Sequence, residues 1–487
     1  MHPSHPRPGP QSSDESTPLL SSEYADLEAA KRKTPLPKGQ LAALCISRLA
    51  DPIAYCQLFP YINQMLFDLH VTDDISKVGF YSGLVESIFA VSQTLTSYHW
   101  AKASDIIGRR PIVLAGAIGL ALVTLLLGFC TSLTEIILVR ALAGFLAGNV
   151  AVFHAILAEI TDSSNSPKAY SLYAVTWPLG STIGPLIGGS FSNLGTKYPD
   201  YWKYDFILSH PYFMPNLVCA LLVVVGLCLS YTYLEETLPS KRHKPCIDDT
   251  VVTQQSPRLG AMDLLSIPMV RALTVSGFTL AFIGTAYDVV FVLFCYTPIE
   301  RGGLSFSITQ IGHALALNGV ILIILQLLFV PTLLRTYRTS VLYHTSTCCW
   351  PLTFFVTPFL NFIVRAGYDA GNEAGVDPAT SVILWIGIAL VLTCSRIAAL
   401  AFTTNMILIR NHSPSPAYLG ACSGLVQVAM CVSRMFSPAF ISSVFALSVG
   451  NNLLGGYPIW VVVMLSVCLV GCYFSQKMVA IDKKLDT

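Results

Sequence analysis

Three carboxylate side chains interrupt long apolar stretches, and they are the groups best suited to proton chemistry. Asp51, Glu86 and Asp288 each lie among mainly apolar residues. An apolar environment favours the neutral form of a carboxyl group, so such a group can accept a proton on one side and release it on another. The alternative is a fixed ion pair, which is favoured for Asp51 because Arg48 lies three residues earlier on the same helical face. Glu86 and Asp288 have no cation on their own helix, and both roles stay open for them.

An arginine and a set of aromatic residues form a second group of candidates. Arg140 lies several residues inside an apolar run. Such an arginine is costly and normally faces a cavity or an acid, and snorkelling from a helix end is the alternative. The aromatic side chains that are candidates to line a cavity for flat organic molecules are Tyr55, Phe59, Trp177, Tyr287, Phe291 and Phe294. Packing inside the protein is the alternative for each. A cavity lined by these aromatic residues and by the acids favours an amphipathic, neutral or cationic solute.

The composition indicates what kind of chain must position these groups. Of the 487 residues, 53% are hydrophobic and 12% are charged, whereas a typical soluble domain has about 25% charged residues. The mean hydropathy of +0.60 also indicates lipid as the solvent. A soluble multidomain protein is therefore excluded. The net charge of +1 predicts no electrostatic binding of nucleic acid.

The cysteines and the missing enzyme motifs restrict the function further. The 14 cysteines lie mostly in apolar runs, and neither Cys348 with Cys349 nor Cys468 with Cys472 has metal-finger spacing. We therefore expect no disulfide framework and no metal site. The sequence contains no GxSxG, Walker A, HExxH or dinucleotide-binding pattern. We predict that the chain is not an enzyme and needs no cofactor.

Twelve apolar stretches are long enough to cross a bilayer, which requires about 20 residues per helix. They predict an all-α integral membrane protein with twelve transmembrane helices in two six-helix halves. The predicted spans, named the first to the twelfth span below, are 41–66, 78–98, 112–131, 134–158, 170–191, 212–234, 272–297, 308–330, 341–364, 381–403, 418–444 and 455–475. The predicted parts are a disordered cytosolic tail (1–40), an N-terminal half (41–234), a cytosolic linker (235–271), a C-terminal half (272–475) and a cytosolic tail (476–487).

The charges in the loops predict the orientation. If the N terminus is cytosolic, most of the 29 Lys and Arg residues lie on that side. The outer side then holds Lys77, Lys197, Lys203, Arg301 and Arg365. This asymmetry predicts that both termini are cytosolic, and the polar N-terminal tail predicts no signal peptide. The tail has Glu15, Leu19 and Leu20 in an ExxxLL arrangement. We expect the plasma membrane, or a vacuolar or endosomal membrane if this arrangement is a sorting signal rather than an incidental apolar pair.

The loop between the second and third spans carries the most specific motif. It reads AKASDIIGRRP and resembles the inner-loop signature GxxxDxxGRR/K of the major facilitator superfamily, with Ala101 in place of the first glycine. Gly108 permits a tight turn, and Asp105 can face the N-terminus of a neighbouring helix. Arg109 and Arg110 hold the cytosolic side. The resemblance implies that this loop latches the cytosolic side, and a basic loop that only sets the topology is the alternative.

Two spans carry further motifs of the same family. The run around Arg140 is similar to the family's fourth-span motif, whose arginine is implicated in coupling proton movement to cargo. The fifth span has a GxxxGPxxGG pattern, formed by Gly180, Gly184, Pro185, Gly188 and Gly189. Glycines four residues apart line one helix face and let another backbone approach, and the proline allows a bend. The pattern is similar to one associated with proton-driven exporters, and a purely structural interface is the alternative.

The first two spans, around Tyr55 and Glu86, resemble fungal drug:proton antiporters related to the plant zinc-induced-facilitator-like group. Residues 235–238 read EETL and resemble that group's PET-L-H segment, with glutamate in place of proline. The resemblance implies the major facilitator fold and proton-coupled export of small organic molecules, such as drugs, toxins or secondary metabolites, by alternating access. The implied partners are the lipid bilayer, a small-molecule substrate and protons, and we expect a monomer. The proton-coupling candidates are Glu86, Asp288, Arg140 and Asp51. Transport of metal or other ions and facilitative uniport stay open as alternatives.

Overall fold

The computed structural model describes residues 36–162, 165–202, 204–238, 261–368, 377–414, 418–450 and 458–485. Helices joined by short connections make up nearly all of these residues. The ExxxLL arrangement at Glu15, Leu19 and Leu20 and most of the predicted linker lie outside the described residues.

The first six spans are helical rods, some of which are broken by a turn. In chain order they are Lys38–Cys56 with Ile62–Asp68, Val78–Ile107, Arg109–Leu127, Leu133–Ala147 with Val150–Glu159, Ser166–Ala174 with Thr176–Phe191, and Phe213–Tyr233. The short helices between the fifth and sixth spans are Leu194–Lys197, Pro199–Trp202 and Asp205–Ser209. The break in the first span contains Pro60, which cannot donate a backbone hydrogen bond and so favours interruption of the helix.

The last six spans follow the short helix Ala261–Ser266. They are Pro268–Tyr296, Ile308–Thr336, Thr339–Val356 with Phe359–Ala366, Pro378–Asn411, Leu419–Gly450 and Pro458–Leu485. A turn with a short 3-10 helix, Ile299–Arg301, precedes the eighth span. That span begins with a capping box, in which the Ser307 hydroxyl and the Gln310 side chain satisfy each other's backbone N–H groups. Within the same span, Leu325–Phe329 is a π-helical segment.

Within the described residues, nine helices are long and apolar enough to cross a membrane by length and composition. The first, second and fifth spans fall outside this set, and they are helical rods as well. A turn divides the fifth into two short helices, polar and charged residues such as Arg48 and Asp51 lower the hydropathy of the first, and many Ser, Thr and Gln residues lower that of the second. The predicted all-helical twelve-span fold is confirmed.

The two halves contact each other through small residues toward the end of the bundle that carries Asp74 and Arg301, called the closed end below. The second span packs on the eleventh, where a Cβ added to Gly83 would lie 2.7 Å from the Pro438 carbonyl oxygen. The fifth span packs on the eighth, where a Cβ added to Gly189 would lie 3.0 Å from the Cα of Gly312. Such distances mean that the helices touch through their backbones.

An ion pair between loops also joins the halves at the closed end. The Arg301 guanidinium donates to the Ser76 hydroxyl at 2.6 Å and lies 3.3 Å from the Asp74 carboxylate. Asn361 anchors the loop that holds Arg301, because its amide donates to the Ile299 carbonyl at 3.0 Å. Hydrogen bonds from Ser76, with Arg301 beside it, lower the pKa of Asp74 below its usual range. Asp74 therefore stays charged and paired at neutral pH.

The opposite end carries Asp105 and the first turn of Leu419–Gly450, and it is called the open end below. Asp288 and Arg434 are exposed near the middle of their spans. A charged side chain at this depth faces a water-filled cavity rather than lipid. A cavity between the halves therefore extends from the middle of the bundle toward the open end.

Candidate functional site

A buried ion pair joins the second and fourth spans of the N-terminal half. Arg140 Nη2 lies 2.7 Å from Glu86 Oε2, and the two side chains are only 3% and 8% exposed. The Tyr55 hydroxyl of the first span donates to the other carboxylate oxygen. Both oxygens of Glu86 therefore have a donor. Glu86 is therefore the acid that Arg140 faces. Because Arg140 is paired inside the bundle, snorkelling to a membrane surface is not needed to explain its position in an apolar run.

Small and aromatic residues determine this geometry. A Cβ added to Gly144 would lie 2.3 Å from the Phe89 carbonyl oxygen, so only glycine lets the fourth span come this close to the second. The guanidinium carbon of Arg140 then lies 4.4 Å from the centroid of the Phe89 ring and 5.7 Å from that of Tyr55. Ring faces attract cations most strongly where water is excluded. The rings therefore help to compensate for burying the arginine.

A small cavity lies on the closed-end side of Glu86, between the first, second and seventh spans. Its polar lining includes Asn63, Ser82 and Glu86, and its apolar lining includes Leu58 and Val292. The side-chain oxygen of Asn63 is buried and has no hydrogen-bond partner in the described part of the chain. A polar atom of this kind is normally satisfied by water. Sequence reasoning did not identify Asn63 or Ser82.

Asp51 forms the ion pair that its spacing predicts. Arg48 Nη1 lies 2.6 Å from Asp51 Oδ2, three residues apart on the first span. The Arg48 guanidinium also lies 5.9 Å from the ring centroid of Phe153 on the fourth span. The pairing is confirmed, and a proton-coupling role for Asp51 stays a prediction.

Asp288 has a partner that sequence reasoning missed. Arg396 Nη2 of the tenth span lies 3.0 Å from Asp288 Oδ1, and the Asp288 side chain is 52% exposed. The adjacent residue Val289 lines the same small cavity as Glu86, which places this part of the seventh span beside the Glu86 pair. The sequence does contain one indication of this partner. The tenth span occupies the position in the second half that the fourth span occupies in the first. Arg396 thus corresponds to Arg140 as an arginine within its span.

Half of the predicted substrate-contact aromatics lie together beside the Glu86 pair. The Tyr55 ring centroid lies 5.2 Å from that of Phe59 and 6.0 Å from that of Trp177. Trp177 is 44% exposed. These rings therefore form an aromatic wall, part of which is accessible from the cavity.

The other three predicted aromatics lie elsewhere, which corrects the expectation that all six line one cavity. Tyr287, Phe291 and Phe294 are each 1% exposed and belong to the core of the C-terminal half. The Tyr287 ring packs against Trp350 and Phe354, with centroids 5.7 and 5.4 Å away. The seventh span is apolar on nearly every face, so its sequence does not reveal which face points inward. In this conformation a solute in the cavity does not reach these rings.

The motif loop at the open end is held within the N-terminal half. Arg109 pairs with Asp105 at 2.7 Å and with Glu159 of the fourth span at 3.0 Å. Arg110 donates to the Tyr231 carbonyl at 2.6 Å. Asp105 is largely exposed and contacts no neighbouring helix N-terminus other than that of its own loop, within the described residues. Its predicted latch role stays a prediction, since it concerns a state in which this end is closed.

Glu236 is a further contributor to this loop that sequence reasoning read only as part of a resemblance. Its carboxylate accepts hydrogen bonds from the backbone N–H groups of Arg109 and Arg110, at 2.8 and 3.3 Å. An anion at a helix N-terminus is stabilised by the unpaired N–H groups and the helix dipole. Gly108 has φ of +118°, which other residues rarely adopt, and an added Cβ would lie 2.5 Å from the Glu236 carboxylate. The turn therefore requires glycine.

The glycine pattern of the fifth span forms two contacts. Cβ atoms added to Gly180, Gly184 and Gly188 would collide with the first span, and at Gly188 the Gln57 carbonyl oxygen would lie only 2.0 Å away. The expected close backbone approach is therefore confirmed. On the adjacent face, Gly189 and the Pro185 carbonyl meet Gly312 of the eighth span. The same motif thus packs one half internally and joins it to the other.

Comparisons with known proteins agree with this architecture. The family profile of the Major Facilitator Superfamily matches residues 53–438. "Major facilitator-type transporter psiT2" of Psilocybe cyanescens is 36% identical over 97% of each chain. "Major facilitator superfamily multidrug transporter mfsB" of Aspergillus fumigatus is 28% identical over 82% of this chain and 77% of that one. A solved structure of a bacterial homolog of the human lysosomal transporter Spinster, described as inward-facing and occupied, superimposes with a TM-score of 0.62 at 13% identity, over 92% and 97% of the two chains. The chain therefore belongs to the Major Facilitator Superfamily and is a membrane transporter of small molecules, not an enzyme.

Proposed function

We propose that the protein exports small organic molecules in exchange for protons, by alternating access between its two halves. The observation that carries this proposal is the buried group of Glu86, Arg140 and Tyr55 at the inner end of a cavity that is closed on one side. A carboxylate in that place can be reached by protons and contacts the walls that must move. The name of the Aspergillus fumigatus relative, a multidrug transporter, supports an organic cargo.

The loop charges orient this cycle. Since Lys and Arg favour the cytosolic side, we propose that both termini and the open end face the cytosol. The described conformation then corresponds to the state that loads cargo for export. Release requires the closed end to open, which breaks the ion pair between Arg301 and Asp74, and the open end to close. We propose that Asp105 and Arg109 latch the cytosolic side in that second state.

Proton binding couples to this motion through Glu86. In the described state both of its oxygens have donors, and protonation removes the charge that compensates Arg140. An uncompensated buried charge costs several kcal/mol, so a proton favours whichever state separates or hydrates the pair. This differential affinity is what lets a proton shift a conformational equilibrium. The cavity lined by Asn63 and Ser82 offers water a place between Glu86 and the closed end.

The roles of the remaining predicted residues follow from their positions. We propose that Tyr55, Phe59 and Trp177 contact the cargo, and that Asp288 with Arg396 forms the opposite wall of the cavity. Asp51 with Arg48 stabilises the middle of the first span. The protein acts as a monomer in the plasma membrane, and a vacuolar or endosomal location is the alternative suggested by Leu19 and Leu20.

The test is gradient-driven flux in proteoliposomes, with aromatic organic solutes and zinc as cargoes. We expect an organic solute to move with the proton gradient, and Glu86→Gln to remove the dependence on the gradient. Glu135→Gln is the matched control, because Glu135 is an exposed acid in the first turn of the fourth span that accepts a hydrogen bond from the Thr131 backbone N–H. Movement of zinc alone would favour the ion-transport alternative. Organic flux that ignores the gradient in the wild type would favour facilitative uniport.

A further inference from the structure

The charges in the middle of the spans do not balance. The acids there are Asp51, Glu86 and Asp288, and the arginines are Arg48, Arg140, Arg396 and Arg434. Each acid has its own arginine at 2.6 to 3.0 Å. Arg434 is therefore left over, and the central region has an excess positive charge while its acids are ionised.

Arg434 is too deep to escape to either membrane surface. It lies at the midpoint of Leu419–Gly450, about 22 Å from each helix end at 1.5 Å per residue, which exceeds the reach of an arginine side chain. The residue is exposed, and it has no hydrogen-bond or ion-pair partner within the described ranges. A charged side chain at this depth without a partner marks a site by default.

The helix face that carries Arg434 points to the space between the halves. The Pro438 carbonyl, about 40° from Arg434 around the helix axis, contacts the second span at Gly83. Ser437, about 60° away on the other side, donates to a backbone carbonyl of the seventh span at 2.7 Å. Arg434 therefore lies between a contact with the other half and a contact within its own half. Phe436 lies on the opposite face, about 200° away, and is 61% exposed. The apolar exposed face contacts lipid, and Arg434 therefore opens into the cavity.

We propose that Arg434 binds an anionic group of the cargo, such as a carboxylate or a phosphate, while the aromatic wall at Tyr55 and Trp177 contacts its ring system. The inference rests on the proposed function and names its substrate class. It departs from the expectation of a neutral or cationic solute, because every acid that was to attract a cation is already paired with an arginine. A guanidinium is well suited to an oxyanion, since it forms two parallel hydrogen bonds with it.

The experiment compares three probes with one ring system: 2-naphthylacetate, 2-(2-naphthyl)ethylamine and 2-naphthylacetamide. Their Kd values are measured by titration calorimetry on the purified full chain in detergent. We expect the anion to bind at least tenfold more tightly than the amine. Arg434→Gln should weaken binding of the anion at least tenfold and change that of the amide less than twofold, and Arg434→Lys should retain most of the preference.

Two controls make the result decisive. Arg410→Gln removes an equal charge at the exposed end of the tenth span and should leave all three affinities unchanged. Thermal unfolding shows whether each variant is folded. The proposal is overturned if the amine binds as tightly as the anion, if Arg434→Gln keeps the preference, or if none of the probes binds at millimolar concentration. Equilibrium binding uses no proton gradient. The binding result therefore does not depend on whether the flux assay shows proton coupling, and the two proposals can fail separately.

Discussion

The two halves hold their central carboxylates in different ways. In the N-terminal half, Glu86 is 8% exposed and has donors on both oxygens, from Arg140 and Tyr55. In the C-terminal half, Asp288 meets Arg396 at 3.0 Å, and half of its side chain remains exposed. An arginine partner is common to both. Glu86 differs from Asp288 because it is buried and has a second donor. A proton must disrupt these contacts to bind Glu86, whereas solvent already reaches Asp288.

The difference has an energetic consequence. A buried ion pair costs desolvation energy that its own attraction only partly returns, so the aromatic rings around Arg140 contribute to its stability. The C-terminal pair has one half-exposed member, Asp288, so its desolvation cost and its net stabilisation are smaller. The N-terminal pair is therefore sensitive to the loss of either member, whereas in the C-terminal pair water can solvate Asp288 when Arg396 is lost.

The largest expected effect comes from removing one arginine at a time. Arg140→Met leaves Glu86 buried without a counter-charge and should lower the free energy of unfolding by about 3–5 kcal/mol. Arg396→Met should cost about 1 kcal/mol or less, because water solvates Asp288. Denaturant unfolding in detergent measures both. The double variant Glu86→Gln with Arg140→Met should recover most of the lost stability, and equal losses for the two single arginine variants would show that the pairs do not differ.

A smaller effect is expected from adding one methyl group next to each pair. Gly144→Ala places a Cβ 2.3 Å from the Phe89 carbonyl oxygen, which should separate the second and fourth spans and cost about 1–3 kcal/mol. Gly284→Ala is the matched control in the seventh span, where the nearest atoms belong to the Phe402 ring at 3.2 Å. A side-chain ring can shift, so this variant should cost less than about 1 kcal/mol. Thermal unfolding and gradient-driven flux should both rank Gly144→Ala as the more damaging change.

The smallest effect concerns the ion pair at the closed end, outside the membrane. Because the pKa of Asp74 is lowered in the paired state, the pair stabilises the closed end at neutral pH and loses this contribution only as the pH falls through the lowered pKa. Ser76→Ala removes the main hydrogen bond that lowers it. The pH profile of transport should then lose the part that depends on the Asp74–Arg301 pair at a higher pH than in the wild type. An unchanged profile in Ser76→Ala would mean that this pair does not control the opening.

The sequence predicted the features that depend on short-range spacing. Arg48 and Asp51 are three residues apart, and helix geometry alone brings them together. The glycines of the fifth span are spaced at four residues, which predicts a close helix contact without naming the partner. The number of spans followed from apolar length. Each of these inferences needs only the helix repeat and the bilayer thickness.

The remaining features depend on helix rotation and on contacts distant in the chain. Arg396 and Asp288 are 108 residues apart, and no local pattern joins them. The seventh span is apolar on most faces, so its buried rings Tyr287, Phe291 and Phe294 were not distinguishable from cavity residues. Glu236 caps a helix that begins 127 residues earlier. Periodicity identifies a polar face only where the opposite face is apolar.

The most direct test of Glu86 as the proton carrier is cargo-driven proton movement, read with a pH-sensitive dye trapped in proteoliposomes. When a gradient of organic cargo is imposed, wild-type protein and Glu135→Gln should move protons in the direction opposite to the cargo. Glu86→Gln should still exchange labelled for unlabelled cargo and should give no dye response. A full dye response in Glu86→Gln would contradict the proposed role of Glu86 and assign the proton to another group.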